Sequence, residues 1–360
     1  MSWNFSAGPS ALPAPVLERA RDELLVRDKR GSCLLERSFT GADFVATMAA
    51  AEAGLRELLA VPDEYAVLFL AGGAMAQFGL LPMNLARPGQ PAAYVESGYW
   101  SGRAIEEARH FCSVSFAARH TVRDGVVHLP PPHEWRVDPD AAYCHYTANE
   151  TAQGAEFHVQ PETGPVPLVA DMSSNILSRR LDVSHFGVIY ASAQKNLGAS
   201  GLTLALVRRD LLSRSGSAVP SSLSYRIQAA ESSRYSTPPV FEVALVKLVF
   251  DWLRAEGGMP AMEARSLYKS ELLYRAIDDS AGFYRCFVAP ANRSRMNVCF
   301  RLGDEALSEA FIADAEAEGL FNLRGHSRVG GIRVSLYNAV PEAAVHALLQ
   351  FMDHFAARHG

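Results

Sequence analysis

Cysteine is scarce in this chain. Five are scattered over 360 residues, at Cys33, Cys112, Cys144, Cys286 and Cys299. The number is odd and no Cys-x-x-Cys pair occurs, so neither a disulfide framework nor a zinc site is expected. A reducing, cytoplasmic setting fits that usage. Excess positive charge is missing too: 34 Lys and Arg face 39 Asp and Glu, a net charge of −5, which argues against a nucleic-acid partner. The opening Met-Ser-Trp-Asn-Phe-Ser-Ala-Gly-Pro has neither a basic nor an apolar leader region, so no signal peptide is expected. One run, Tyr65 to Ala86, carries no charge over 22 residues, long enough for a membrane span. Gly72, Gly73, Gln77, Pro82 and Asn84 interrupt it, so it reads as a buried strand, a glycine turn and a helix. No membrane association is expected. His145, His158 and His185 lack metal-ligand spacing, and no metal site is expected. Internal repeats and low-complexity tracts are absent.

The composition that remains is that of a globular protein, 49% apolar and 20% charged. The length suggests about two domains. Apolar periodicity predicts helices over Pro15–Leu25, Asp43–Leu59, Ile105–Phe111 and Phe241–Ala255. Short β-rich runs predict strands at Tyr65–Leu70, Ala92–Val95, Tyr143–Tyr146, Val166–Ala170, Val188–Ala191 and Leu202–Val207. These runs lack polar alternation, which suits strands buried on both faces of a sheet. The alternation with helices predicts an α/β fold with a parallel or mixed sheet. After Gly257-Gly258 the texture changes to a helix over Ala261–Asp278, strands at Arg295–Leu302 and Gly331–Leu336, and a helix over Glu342–Ala357. The expected division is an N-terminal arm over 1–14, a large domain over 15–255 and a small α+β domain over 256–360.

Ligands of open α/β sheets bind beyond the carboxyl ends of the strands. Asp171 follows Val166–Ala170 there, Lys195 follows Val188–Ala191, Gly72-Gly73 follows Tyr65–Leu70, and Thr151 lies just after Tyr143–Tyr146. Each is weak alone: a lone lysine or aspartate after a strand is ordinarily a solvated end or a turn, and a Gly-Gly pair is ordinarily just a turn. Their joint order suits pyridoxal 5'-phosphate (PLP). A lysine amine forms a Schiff base with the aldehyde, a carboxylate pairs with the pyridine nitrogen, and a glycine turn opens a helix whose free N–H groups bind the phosphate.

The residues at these strand ends belong to longer motifs. They are Asn4–Pro9, Gly98-Tyr99-Trp100, His145–Thr151, Asp171–Arg179, Gly187–Asn196, Thr237-Pro238-Pro239, Ala291–Asn297 and Gly330–Arg333. On these the whole chain resembles the phosphoserine aminotransferase family of class V, fold-type I PLP enzymes. The resemblance implies a large domain with a mainly parallel seven-stranded sheet and a smaller C-terminal α+β domain. It makes Lys195 the Schiff-base lysine and proton carrier, and Asp171 the partner of the ring nitrogen. Trp100 would stack on the ring and Thr151 would bond near its 3-oxygen. Ala74, Met75 and Gln194 would hold the phosphate. Ser236 and Thr237 would reach the cofactor of a second subunit, since the family forms homodimers with sites at the interface. Arg333 would grip the substrate α-carboxylate.

The chain departs from the family's pattern where the substrate's distal anion is bound. The usual His-Arg pair is Phe39-Thr40, and the arginine of the glycine turn is Met75, flanked by Ala74 and Ala76. After His326 the usual arginine is Ser327, with Arg328 one position later. A serine is Ala7, and the asparagine before Thr237 is Ser236. At roughly 1.5–3 kcal/mol per charged hydrogen bond, losing several would cost on the order of 10³-fold for a phosphate substrate. The expectation is therefore an aminotransferase whose substrate is less anionic, in a pocket lined by Phe39 and Met75. The alternatives are the parent reaction with Arg328, His326 or Arg37 compensating, a PLP enzyme of elimination or decarboxylation, and a non-catalytic PLP-binding protein.

Overall fold

The computed structural model describes residues 2–27, 31–216 and 218–360. Seven strands form one sheet in the order Tyr65–Ala71, Leu202–Arg208, Val188–Ser192, Leu168–Asp171, Cys144–Thr147, Ala92–Glu96, Val114–Arg119. Leu202–Arg208 runs antiparallel to both its neighbours. The other pairings are parallel. The reason lies in the apolar runs. In Val188–Ser192 every residue is buried. Ile189 and Ala191 face the layer that contains helices Ala42–Leu59 and Val240–Ala255. Val188 and Tyr190 face the opposite layer with helices Ala74–Leu85 and Tyr99–Ala108. Covering both faces puts the strand ends, rather than a sheet face, at the functional surface.

The second unit is a three-stranded antiparallel sheet, Tyr284–Cys286, Asn297–Leu302 and Ile332–Ser335. Helices Gly258–Asp278, Ser308–Ala317 and Glu342–His359 cover it around Phe300, Phe311, Phe351 and Phe355. Helix Val240–Ala255 turns into helix Gly258–Asp278 through Gly257-Gly258, with φ of 98° and 67°. Glycine adopts such angles at no steric cost. The stretch read as an arm begins as a strand of this second unit: Trp3–Asn4 pairs in parallel with Leu320–Phe321, and Phe5 enters its core.

Most predicted elements recur within a few residues. The helix expected at Ile105–Phe111 is corrected to Tyr99–Ala108. Its start is held by side chains distant in sequence. Strands Val114–Arg119 and Tyr284–Cys286 and helix Ser308–Ala317 escaped notice because they lie at an edge or have mixed polarity. The uncharged run is the strand Tyr65–Ala71 followed by helix Ala74–Leu85. Among the described residues no helix is long and apolar enough to cross a membrane.

Candidate active site

A cavity of about 390 Å³ opens at the carboxyl ends of the central strands. That volume lies within the range of small-molecule sites, roughly 300–1,000 Å³. Lys195 sits three residues past strand Val188–Ser192, in a turn held from the N-terminal segment. Ser10 N–H donates to the Gln194 carbonyl at 2.9 Å, and the Ser10 hydroxyl donates to the Lys195 carbonyl. The Lys195 amine donates to the Thr151 hydroxyl at 2.7 Å and lies 5.4 Å from the centre of the Trp100 ring. Burial lowers its pKa from 10.5 to about 8; Arg333 acts in the same sense, while Asp171 and Glu150 oppose it. A larger neutral fraction near neutrality makes it a better nucleophile than a solvated lysine.

Asp171 is the last residue of strand Leu168–Asp171 and is 5% exposed. Its carboxylate accepts the Ser173 N–H at 2.9 Å. Tyr190 is its partner across the strand pair, and burial together with the Asp171 charge pushes the Tyr190 pKa well up. The Tyr190 hydroxyl meets His145 Nε2 at 2.9 Å. Burial drives the His145 pKa down to about 3, so that ring is neutral.

Across the cavity, helix Ala74–Leu85 begins at Gly73. The first N–H groups of a helix have no intrahelical acceptor, and Gly73, Ala74 and Met75 line the cavity. Gln194 is held to the Ser192 hydroxyl beside this turn. Arg333 comes from the second unit on strand Ile332–Ser335, with Nη1 3.5 Å from the Thr151 carbonyl. His326 packs on Tyr99 at 4.4 Å and on Trp100 at 6.1 Å between centroids. Burial lowers its pKa, as do Arg333 and Arg328. Its Nδ1 accepts the Arg328 N–H at 3.2 Å, so the neutral ring carries its proton on Nε2.

Thus Ala7, Ala74, Met75, Trp100, Thr151, Asp171, Gln194, Lys195, His326 and Arg333 converge on one cavity. Five expected residues do not line it. Phe39 is partly buried against the main core and does not line this chain's cavity. Thr40 is exposed and contacts the Ser38 hydroxyl at 2.9 Å. The Arg328 side chain is exposed at the surface; only its backbone N–H reaches His326, so it does not replace a clamp arginine within this chain. Ser236 and Thr237 border a separate cavity of about 250 Å³ with Gln228 and Ser233. Sequence reasoning passed over Glu150 and Tyr190. Both lie inside motifs already singled out, but nothing local says where their side chains point.

The residues present suit PLP: an amine, a carboxylate at 5% exposure and an open helix N-terminus surround one space. The buried Trp100 Nε1 has no hydrogen-bond partner among the described residues.

Comparison with known proteins agrees. The family model for class-V aminotransferases matches residues 2–348. Phosphoserine aminotransferase of Azotobacter vinelandii is 50% identical over 359 residues, covering 100% of this chain and 99% of that protein. That of Laribacter hongkongensis is 49% identical over 358 residues, covering 99% of each. The solved phosphoserine aminotransferase from Bacillus circulans subsp. alkalophilus superposes with a TM-score of 0.97 at 44% identity, over 100% of this chain and 99% of that one. The PLP-bound enzyme from Trichomonas vaginalis gives 0.92 at 36% identity, over 98% and 100%.

Proposed function

The chain belongs to the class-V aminotransferases, it is a PLP-dependent aminotransferase, and from that membership we propose that it carries out the phosphoserine aminotransferase reaction. In that reaction glutamate and 3-phosphohydroxypyruvate give 2-oxoglutarate and phosphoserine. The observation that supports this reading is similarity along the whole chain, at 50% identity, to proteins that bear that activity in their names.

Bound PLP supplies an aldehyde for the amino group and a ring that draws electrons from the substrate Cα. The chain's residues do the rest. Lys195, its pKa brought down by burial to about 8, would hold the cofactor through its amine and would carry a proton to and from the substrate Cα. Asp171 holds a proton at the ring nitrogen. The N–H groups at Gly73–Met75 bind the cofactor phosphate. Trp100 and Thr151 fix the ring plane, and Arg333 orients the α-carboxylate. Ser236 and Thr237 serve the site of a second subunit, so the working unit is a homodimer; their placement outside this chain's own cavity supports that assignment. A cytoplasmic location is part of the same proposal, supported by five free cysteines.

A second reading, a less anionic substrate, is favoured by one observation. Met75, 50% exposed, stands at the helix N-terminus, and Arg333 is the one guanidinium lining the cavity among the described residues. A half-reaction separates the two. Holoenzyme is mixed with phosphoserine, glutamate and a panel of neutral amino acids while the cofactor absorbance is followed. Fast conversion by phosphoserine and glutamate supports the first reading. Conversion only by neutral amino acids overturns it and names the donor.

A further inference from the structure

Two helices bring first-turn residues to the cofactor space, and the chain treats their N-termini differently. Helix Ala74–Leu85 presents its first turn to the cavity. Helix Tyr99–Ala108, which carries Trp100, has its first turn fully occupied by side chains from the segment after strand Cys144–Thr147. Glu150 Oε2 accepts the Trp100 N–H at 2.9 Å. Glu150 Oε1 accepts the Ser101 N–H at 2.9 Å and the Ser97 hydroxyl at 3.1 Å. Gln153 Oε1 accepts the Tyr99 N–H at 3.3 Å. Glu150 is wholly buried, at 0% exposure; burial pushes its pKa up, while the hydrogen bonds from Ser101, Trp100 and Ser97 at the positive end of the helix favour the carboxylate. Gly98 makes room for it: a Cβ at that position would lie 2.8 Å from both Glu150 Cδ and Gln153 Oε1.

Glu150 is also one residue from Thr151, which receives the Lys195 amine. On its other side Asn149 donates to Ser174 Oγ at 2.7 Å and to Asn297 Oδ1 at 2.8 Å in the second unit. Three consecutive residues therefore tie together the ring-stacking helix, the lysine and the small unit. Resting on the PLP aminotransferase reading, we propose that Glu150 is a positioning residue: its buried carboxylate fixes the plane of Trp100 and adds negative potential at Lys195. The same carboxylate closes this helix terminus to anions, which leaves the Gly73 turn as the seat of the cofactor phosphate.

The test uses holoenzyme and three variants, Glu150→Gln, Gly98→Ala and Trp100→Phe. Glu150→Gln removes the charge and turns an amide N–H₂ toward one of the two backbone donors, the Trp100 or the Ser101 N–H. Gly98→Ala keeps the charge and displaces the carboxylate. Readouts are the PLP dissociation constant by equilibrium dialysis, the pH midpoint of the bound cofactor's absorbance change, and the urea midpoint. Glu150→Gln is expected to weaken PLP about tenfold and to lower the absorbance midpoint; Gly98→Ala is expected to weaken PLP with a smaller shift of that midpoint. In a Trp100→Phe background the Glu150→Gln effect on PLP binding should shrink to within about twofold, because the indole it positions is gone. A lowered urea midpoint with an unchanged absorbance midpoint and additive effects would reduce Glu150 to a structural cap and overturn the proposal. If Glu150→Gln does not fold, Gly98→Ala with Trp100→Phe supplies the same cycle, and additivity there overturns it. Failure of wild-type protein to bind PLP at all would instead sink the cofactor reading on which this rests.

Discussion

Lys195 is held where an ammonium is poorly solvated, and its pKa of about 8 measures that cost. Below pH 8 the folded chain keeps a proton against burial, and the penalty is fully present. Between pH 8 and 10.5 the unfolded lysine still binds a proton that the folded one has released, so stability of the cofactor-free protein rises with pH across that window. Lys195→Met is therefore expected to stabilise the cofactor-free protein by about 1–3 kcal/mol at pH 7. Urea unfolding measures it, and the advantage should fade by pH 10.5. A destabilised variant would mean the amine is better solvated than its surroundings indicate. Arg333 acts through geometry rather than pKa. Arg333→Lys keeps the charge and loses the planar fork, so KM for the amino acid should rise roughly 10- to 100-fold with the cofactor spectrum unchanged. An unchanged KM would remove Arg333 from carboxylate recognition.

Elements bring these residues together through side chains that reach between them. Helix Gly258–Asp278 sends Lys269, at 2% exposure, into the turn after strand Ile332–Ser335. Its Nζ donates to the carbonyls of Leu336, Tyr337 and Val340 at 3.0, 2.9 and 2.8 Å. The adjacent Asn338 N–H bonds Asn196 Oδ1 at 3.0 Å, beside the lysine. Lys269→Met would take this donor from the Leu336 and Val340 carbonyls, at roughly 1–3 kcal/mol or more, while the Tyr337 carbonyl keeps the Val340 N–H at 2.9 Å. A lower urea midpoint and a raised KM are expected, since the turn follows the strand that carries Arg333. At this scale the sequence is informative about strand ends and weak about caps. Tyr65–Ala71 and Val188–Ser192 were legible because long apolar runs record burial on both faces. The start of helix Tyr99–Ala108 was not, because its N–H groups are satisfied by Glu150 and Gln153 from another element.

For the whole molecule, the proposed homodimer predicts a sedimenting mass twice the 39.1 kDa of the chain. Thr237→Ala should weaken PLP binding about tenfold if that residue completes a neighbour's site. Monomeric sedimentation together with an unaltered PLP affinity would refute the shared site. The substrate question belongs to this scale too, because Phe39 and Thr40 lie away from the chain's own cavity. Met75→Arg alone should raise kcat/KM for phosphoserine modestly. With Phe39→His and Thr40→Arg added, the gain should reach at least tenfold if a second subunit brings those positions in. No further gain would show that they do not face a substrate.

The class of fold and the placement of Lys195 and Asp171 at the ends of adjacent strands were readable from the linear order of residues, since burial of a strand and the position of its end are local properties of the chain. Convergence is not local. That Phe39 rests half-buried against the core, that Arg328 stays in solvent, that Trp3–Asn4 pairs with Leu320–Phe321 and that Glu150 caps a helix some fifty positions earlier all depend on which surfaces pack. A side chain's direction in those places is settled by long-range burial and by the need to pair every buried donor, and neither leaves a local mark in the sequence.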